Sequence, residues 1–192
     1  RAQDKQQQQR TVQMNGQVQP VASAIISGDP KVPVLGNPKG SKVVVEFFDY
    51  NCGYCKAFSS NTMSPLLTKD KNVRFHMVLT PILGPGSQRM AEMAAAAQIQ
   101  GKFAAAHAFL IQQRATSVEE ANGLTAGLIQ AAGLNAAAFN KALADGSAKA
   151  LVTHNAELAR KAGIGGTPTL WFKGRTVPGA MPLEDLESGL SS

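Results

Sequence analysis

A pair of cysteines, placed where a buried strand passes into a helix, is the feature that most constrains the fold of this chain. The run Lys42–Asp49 is rich in β-branched and aromatic residues and is apolar almost throughout, which is typical of a central strand. Cys52 and Cys55 follow, in a segment of helix-forming composition that Asn51 is predicted to cap and Pro65 to interrupt. The spacing therefore predicts two thiols one helical turn apart at a helix N-terminus.

This placement suits thiol chemistry. A helix N-terminus presents unpaired N–H groups and about half a positive charge, which favours a thiolate at Cys52 and lowers its pKa below about 8.5. We predict that Cys52 is the attacking sulfur and that Cys55, deeper in the helix, resolves the mixed disulfide. Half of a zinc site and two inert core cysteines are the alternatives. Zinc needs four ligands and the histidines lack ligand-like spacing, so we predict no metal and no cofactor. The histidines are His76, His107 and His154.

The rest of the chain alternates strands and helices. A strand at residues 72–80 completes a βαβ unit, and a long Ala-rich region follows before the chain returns to the sheet. We interpret residues 87–148 as an all-helical subdomain inserted into a smaller α/β fold. The other predicted elements are four helices within 87–162, strands at 169–172 and 175–177 joined by a tight turn, and a closing helix at 182–190. The predicted helix boundaries are a capping box at Ser117 and Glu120, N-caps at Asn135 and Ser147, and a C-terminal stop at Gly133.

The beginning of the chain differs from the rest in composition. The first twenty residues are rich in glutamine and poor in large apolar side chains, so we predict that they contribute nothing to a core. They form either a disordered leader or a helical stalk that orders when several chains associate. We therefore divide the chain into an N-terminal extension with a lead-in segment, residues 1–36, and a domain, residues 37–192. The start at Arg1 indicates a processed or trimmed chain.

Charge and hydropathy argue against two classes of protein. The formal net charge is +6, but lysine and arginine are scattered without a run or an interleaved aromatic stripe, so we expect no nucleic-acid partner. No stretch approaches the roughly 20 consecutive apolar residues of a membrane-spanning helix. Glu46 and Asp49 interrupt the most apolar segment.

Two motifs resemble a known family. Residues 47–56, FFDYNCGYCK, and residues 163–172, GIGGTPTLWF, are similar to the DsbA-like branch of the thioredoxin-fold oxidoreductases. Within that branch, they and residues 81–86, PILGPG, are similar to the Com1-like and ScsC-like periplasmic proteins. The resemblance spans about residues 30–190. It implies a thioredoxin-like fold with an inserted helical subdomain, the activity of a protein thiol–disulfide oxidoreductase, and a periplasmic or secreted location in a bacterium.

The resemblance also implies roles for residues outside the cysteine pair. It implies that Pro168, after Thr167, is a cis proline that lies against the redox pair and presents backbone groups to a bound client strand. It implies that Glu46 is a buried acid beneath the disulfide that helps to move protons during exchange. A carboxyl group that faces into a buried strand is also expected to have a raised pKa. From the residues alone, an ordinary edge or surface glutamate is an equal alternative for Glu46.

The two residues between the cysteines bear on the direction of exchange. Strong DsbA-type oxidants carry Cys-Pro-His-Cys, whose histidine stabilises the reduced thiolate and makes the disulfide oxidising. Gly53 and Tyr54 supply no cation and, with Thr167, resemble the isomerases DsbC and ScsC instead. We therefore predict a disulfide isomerase or reductase of exported client proteins, kept reduced by a membrane redox partner and able to form a homo-oligomer through residues 1–36. A monomeric DsbA-type oxidase is the first alternative, and a non-enzymatic chaperone on the same scaffold is the second.

Overall fold

The structure, a computed structural model, describes residues 1–192 and contains ten α-helices, one π-helical segment and five strands. The helices are α1 (Ala2–Ile26), α2 (Gly53–Phe58), α3 (Ser64–Lys69), α4 (Pro85–Ile99), α5 (Phe103–Leu110), α6 (Val118–Asn122), α7 (Thr125–Ala132), α8 (Ala136–Ala144), α9 (Ser147–Lys161) and α10 (Leu183–Ser191). The strands are β1 (Val34–Gly36), β2 (Lys42–Phe48), β3 (Val73–Leu79), β4 (Thr169–Phe172) and β5 (Arg175–Pro178). The π-helical segment, Ser59–Met63, joins α2 to α3. No helix combines the length and the apolar character that crossing a bilayer requires.

The five strands form one sheet in the order β1-β3-β2-β4-β5. The central strand, β2, runs parallel to β3 and antiparallel to β4, so Val45 lies opposite both His76 and Trp171. The edge strands β1 and β5 pair antiparallel with their neighbours. Because both faces of β2 are covered, both rows of its side chains are apolar apart from Lys42 and Glu46, as predicted. The α/β class with a helical insertion between β3 and α9 is confirmed.

Side chains of β2 alternate between two hydrophobic cores. Val44 and Phe48 pack into the larger core, which the helical insertion shares, whereas Val45 and Phe47 pack into a smaller core with α1 and α9. All four are at most 1% exposed, and each large apolar side chain buried in this way contributes about 1.5–3 kcal/mol. Glu46 lies on the face of Val44 and Phe48, because successive side chains of a strand point to opposite faces.

The C-terminal half of α1 belongs to the smaller core. Val18 is fully buried, so the prediction that the first twenty residues contribute no core is wrong at this position. Two polar side chains fasten the same half of the helix. Gln19 accepts a hydrogen bond from the Trp171 indole at 3.1 Å, and Asn15 accepts one from the Thr176 amide at 2.8 Å. The sequence did not predict these two hydrogen bonds, because a polar side chain gives no local indication of the distant group that it will contact. The first thirteen residues are exposed.

The helical region contains more helices than predicted. Between residues 85 and 161 there are six helices, α4 to α9, where the sequence predicted four. A glycine with positive φ ends or precedes several of them, at Gly101, Gly133 and Gly146. Alanine-rich composition hid these breaks, because alanine favours helix on both sides of each turn. The sheet itself begins at Val34, inside the segment 1–36 that the sequence assigned to the extension, because a three-residue strand carries too little pattern to be recognised.

Two of the four helix ends predicted in the helical region are confirmed in full. Asn135 caps α8 through its side chain, and Gly133 ends α7 in the left-handed conformation. Ser117 accepts a hydrogen bond from the Glu120 amide. The Glu120 carboxylate accepts one from the Thr116 amide rather than from the Ser117 amide, so the capping box is incomplete. The prediction that Ser147 caps α9 is wrong. Gly146 occupies the cap position, since Ser147 is already helical and donates its hydroxyl to Asp145.

The two local breaks predicted from proline and glycine are present. The helix after the cysteines widens into the π-helical segment immediately before Pro65, which lies in the first turn of α3. Proline has no N–H to donate and its ring crowds the preceding turn, so a regular α-helix cannot continue through it. Lys173 and Gly174 both have positive φ and join β4 to β5 as a tight hairpin.

Two histidines are buried in the domain and make the protein sensitive to acid. Burial lowers the pKa of His76 from 6.5 to about 4, with a further contribution from the Arg74 charge. Burial likewise lowers the pKa of His107 to about 3, and the Lys56 charge adds to the effect. Because both pKa values are lower in the folded state, the unfolded chain takes up protons first as the pH falls. The free energy of unfolding therefore falls as the pH drops from about 6.5 towards the folded pKa values, about 4 for His76 and about 3 for His107.

Replacing His76 with leucine is expected to reduce this acid sensitivity. Between pH 7 and pH 4, the loss in free energy of unfolding is expected to be about 3 kcal/mol smaller in His76→Leu than in the wild type. Urea unfolding at both pH values measures this double difference, from which all other titrating groups cancel. An identical pH dependence in the two proteins would show that His76 is not a buried neutral histidine.

Candidate active site

Cys52 is the first of the predicted site residues, and it stands where β2 turns into α2. Its backbone is extended, with φ −74° and ψ 117°, and its sulfur accepts a hydrogen bond from the Cys55 amide at 3.2 Å. Cys52 is therefore itself the N-cap, and the prediction that Asn51 caps this helix is wrong. The sulfur occupies the place of a capping oxygen, where the unpaired N–H groups of the helix converge.

The turn before β4 reaches the same sulfur from a distant part of the chain. The Thr167–Pro168 peptide bond is cis, and the Cys52 thiol donates a hydrogen bond to the Thr167 carbonyl at 3.2 Å across 115 residues of sequence. The Pro168 carbonyl in turn accepts a hydrogen bond from the Gly179 amide at 2.8 Å, which ties the turn to the sheet. The fold thus brings together Cys52, Thr167 and Pro168.

Cys55 lies one turn deeper and is fully buried. Burial raises the pKa of its thiol far above its ordinary range, and the nearby Glu46 charge raises it further. The thiol of Cys55 consequently stays protonated at neutral pH unless a base removes the proton during the reaction. Neither cysteine is bonded to another sulfur in this structure.

Glu46 is buried beneath the cysteine pair. Its side chain is 2% exposed, and it lies opposite Met77 and Leu170 in the sheet. Burial raises its pKa from 4.5 to about 8. A carboxyl group with a pKa near neutrality, next to a buried thiol, has the properties of a proton acceptor and donor.

The two residues between the cysteines lie on the surface. Tyr54 is 74% exposed, and a side chain added at Gly53 would meet no atom within 4 Å. The next cation along the helix, Lys56, donates hydrogen bonds to the carbonyl groups of Ile111 and Gln113. No cation therefore lies between the two cysteines in the chain, but the Lys56 charge is close enough to interact with both of them.

Sequence reasoning missed a polar cluster around residues 49–52, the turn between β2 and α2, which we call the reactive turn. Asp49 is buried and accepts hydrogen bonds from the Asn51 amide and the Ser87 hydroxyl, while the Asn51 side chain donates to Ser87 and to the Ala115 carbonyl. The signal available in the sequence was a pair of polar residues, Asp49 and Asn51, just after a buried strand. Their partners are more than thirty residues away, so local pattern could not identify them.

A second missed contact joins the reactive turn to α5. The Tyr50 hydroxyl lies 2.9 Å from His107 Nδ1, and both side chains are buried. Burial and the Glu46 charge raise the pKa of Tyr50, while burial lowers the pKa of His107, so both are neutral near pH 7. We therefore assign Tyr50 as the donor and His107 as the acceptor. This pair holds the turn against the helical insertion.

No three His, Cys, Asp or Glu side chains converge in the structure. Comparison with known proteins then decides the family: the sequence model described as thioredoxin matches residues 29–191. This chain belongs to the thioredoxin family. The match confirms the resemblance to the thioredoxin-fold oxidoreductases that was drawn from the motifs around Cys52 and Pro168, and solved structures of DsbA-like and ScsC-like proteins share the fold.

Two solved structures are similar to this thioredoxin-family member. A thioredoxin-like oxidoreductase from Silicibacter pomeroyi DSS-3 is 35% identical, with a TM-score of 0.74 over 85% of this chain and 92% of that one. The thiol–disulfide exchange protein alpha-DsbA2 from Wolbachia pipientis is 24% identical and shares the fold, with a TM-score of 0.80 over 95% of this chain and 96% of that one. The thioredoxin-like fold with a helical insertion is thereby confirmed.

Two curated relatives match this thioredoxin-family chain over different parts of their own length. The Na⁺/H⁺ antiporter NhaA 1 of Salinispora arenicola is 28% identical over 176 residues, which is 90% of this chain and 26% of that protein. The chain thus spans about a quarter of the length of this relative. Disulfide bond formation protein D of Bacillus subtilis is 40% identical over 76 residues, which is 36% of this chain and 33% of that protein.

Proposed function

We propose that this chain catalyses thiol–disulfide exchange on exported proteins, with Cys52 as nucleophile and Cys55 as resolving thiol. One observation carries the proposal. The sulfur of Cys52 lies 3.2 Å from both the Cys55 amide and the Thr167 carbonyl, at a helix N-terminus. The sulfur that we propose as nucleophile thus contacts both the residue that we propose as the resolving thiol and the turn that contains the cis proline.

The reaction follows from this arrangement. The Cys52 thiolate attacks one sulfur of a client disulfide, so that a mixed disulfide forms and the other client sulfur leaves as a thiolate. In isomerisation, another client thiolate then attacks the mixed disulfide and returns Cys52 as a thiolate, without net oxidation. In reduction, Cys55 loses its proton to Glu46 and attacks Cys52, which leaves an oxidised enzyme and a reduced client. A thiol reductant, such as a membrane redox partner, must then reduce the Cys52–Cys55 disulfide.

The surroundings of Cys52 favour isomerisation or reduction over oxidation. A disulfide is strongly oxidising when the reduced thiolate is strongly stabilised. Gly53 and Tyr54, the two residues between the cysteines, contribute no cation that would stabilise the reduced thiolate. We therefore propose a disulfide that is less oxidising than that of a DsbA-type oxidase.

Oxidation is the second candidate, because one relative favours it. The Bacillus subtilis protein that matches 76 residues of this chain is named for disulfide bond formation. An oxidase would run the same exchange in reverse and transfer the Cys52–Cys55 disulfide to reduced clients. Both candidates place the protein in the periplasm or outside the cell, where disulfides form and persist.

Two measurements distinguish the candidates. A reduction potential of the Cys52–Cys55 pair well below about −120 mV, measured against glutathione, together with refolding of scrambled ribonuclease, is the expected result. A potential near that value, with fast oxidation of reduced ribonuclease and no repair of the scrambled form, would establish the oxidase instead. Full activity of Cys52→Ala in refolding assays would contradict both and favour a chaperone.

We further propose that the exposed part of α1 mediates self-association, because several active sites facing one cavity help an isomerase to hold a misfolded client. Residues 1–13 are exposed and leave the domain as a helix about 20 Å long. Removing residues 1–13 spares Val18 and the sheet, whereas removing residues 1–36 would delete β1. We expect the full chain to be oligomeric and the shortened chain monomeric by light scattering, and a monomeric full chain would contradict this.

A further inference from the structure

The buried carboxylate of Asp49 accepts hydrogen bonds from separate segments of the chain at the end of the sheet that carries Cys52. One oxygen accepts hydrogen bonds from the Asn51 amide at 2.8 Å and the Ser87 hydroxyl at 2.6 Å. The other oxygen accepts from the Ile82 amide at 2.8 Å and the Leu83 amide at 3.0 Å. All four donors are satisfied by one side chain that is 2% exposed.

Two of these bonds connect the turn between β2 and α2 to the loop that follows β3, through Ile82 and Leu83, and a third connects it to the start of α4, through Ser87. The Asp49 carbonyl also accepts a hydrogen bond from the Cys52 amide at 3.1 Å, so the same residue touches the attacking cysteine. Because β2 and β3 are parallel, with Phe48 opposite Leu79, the turn after β2 and the loop after β3 leave the sheet at the same end of the strands. Asp49 therefore sets the distance between Cys52 and the loop.

A second set of hydrogen bonds links the helical insertion to the same turn. Asn51 donates to the Ala115 carbonyl at 2.7 Å and accepts from the Ala115 amide at 3.0 Å. Gly86, in the first turn of α4, approaches the same carbonyl so closely that an added Cβ would lie 1.8 Å from it. The turn, the loop after β3 and the start of α4 consequently behave as one rigid unit.

The loop held by Asp49 presents apolar side chains to the outside. Ile82 is 46% exposed and Leu83 is 52% exposed, although large apolar side chains are normally covered. With Tyr54, they make up three of the six exposed large hydrophobic side chains of the chain. All three lie at the end of the sheet that carries Cys52, so they are placed to contact whatever binds to its sulfur.

We propose that Asp49 is a positioning residue that holds Ile82 and Leu83 beside Cys52, so that they bind apolar side chains flanking a cysteine in an unfolded client. The proposal rests on the proposed exchange activity. Unfolded polypeptides expose apolar side chains, whereas a small disulfide has none to offer. The loop therefore increases exchange with polypeptide clients relative to exchange with small disulfides, and Asp49 acts through the loop rather than on the reacting sulfurs.

Asp49→Asn tests the positioning role. An amide has one acceptor oxygen in place of two, so it cannot accept from both the loop amides and the Asn51 amide. We measure kcat/KM with scrambled ribonuclease and with oxidised glutathione, and take their ratio. The ratio is expected to fall about tenfold, since hydrogen bonds to charged groups are strong. If this variant does not fold, Ser87→Ala removes one of the four donors and should lower the ratio in the same direction.

Two surface variants complete the test. Ile82→Ser combined with Leu83→Ser removes the apolar surface without disturbing Asp49, and it is expected to lower the ratio at least as much. Ile99→Ser is the matched control, because this exposed isoleucine lies at the other end of α4, about 21 Å from its start, and should leave the ratio unchanged. An unchanged ratio in the Asp49 and Ile82–Leu83 variants would overturn the inference. A wild-type protein that exchanges with neither substrate would instead overturn the proposed function.

Discussion

Replacing Cys52 with serine is expected to abolish thiol–disulfide exchange, with a loss of about 10³-fold or more in kcat/KM. A serine hydroxyl is not ionised near neutral pH, so the helix N-terminus has no thiolate to stabilise and no sulfur to attack the client. Replacing Cys55 with serine is expected to give a different result. Attack by Cys52 remains, but the resolving thiol is lost, so the mixed disulfide accumulates.

Non-reducing gel electrophoresis of each variant with a disulfide-containing client distinguishes these outcomes. A covalent adduct that thiol reductant removes is expected with Cys55→Ser and absent with Cys52→Ser. The two variants serve as matched controls for each other, because each removes one sulfur from the same helix. Adducts formed by Cys52→Ser would show that Cys55, although fully buried, is the attacking thiol, and would reverse the proposed roles.

Replacing Glu46 with glutamine is expected to stabilise the reduced protein at alkaline pH by about 5 kcal/mol. Burial raises the Glu46 pKa to about 8, whereas the unfolded chain ionises near 4.5. Because the folded pKa is the higher one, the stability that Glu46 contributes is complete below about pH 4.5 and is lost as the pH rises through 8. Each pKa unit corresponds to about 1.4 kcal/mol. Glutamine carries no proton to lose, so the contribution of Glu46 to the pH dependence of stability is absent from the variant.

Urea unfolding of the reduced proteins at pH 4 and pH 9 measures the effect. The wild type and Glu46→Gln are expected to differ little at pH 4 and strongly at pH 9. Glu184→Gln, at an exposed position in α10, is the control and should match the wild type at both values. Equal stabilities of the wild type and Glu46→Gln at pH 9 would mean that Glu46 is ionised in the folded protein without cost.

The same variant is expected to slow the second half of the reaction. If Glu46 accepts the proton of Cys55, single-turnover release of the reduced client should fall by about 10²-fold in Glu46→Gln, and the pH dependence near 8 should disappear. Formation of the mixed disulfide by Cys52 should be affected much less. A residue that destabilises the fold but accelerates the reaction has a functional reason to be present.

Several parts of the site follow from local sequence alone. The apolar strand, the cysteine spacing and the helical composition placed Cys52 and Cys55 at a helix N-terminus, because each of these signals acts over a few residues. The hairpin at Lys173 and Gly174 and the cap at Asn135 were predicted for the same reason. The Asn51 cap was wrong because two neighbouring residues offered a capping atom, and composition does not show which one faces the helix.

Other parts were decided by packing between distant segments. Val18 looked unable to join a core, yet it is fully buried, because the face of a helix that is covered depends on where the sheet lies. The six helices between residues 85 and 161 were counted as four, since alanine obscures the turns between them. Asp49 looked like the end of a strand, and only the fold supplies the two loops that it joins.

The sequence by itself determined the chemistry of this protein: two thiols at a helix N-terminus after a buried strand, with an acid within that strand. This information is local, because helix capping and strand burial depend on neighbouring residues. Only the tertiary structure decided which distant groups surround the sulfur. The Thr167 carbonyl comes from 115 residues away, and the Ile82–Leu83 loop is fixed by a carboxylate more than thirty residues earlier. Such contacts arise from sheet order and core packing, which no local pattern specifies.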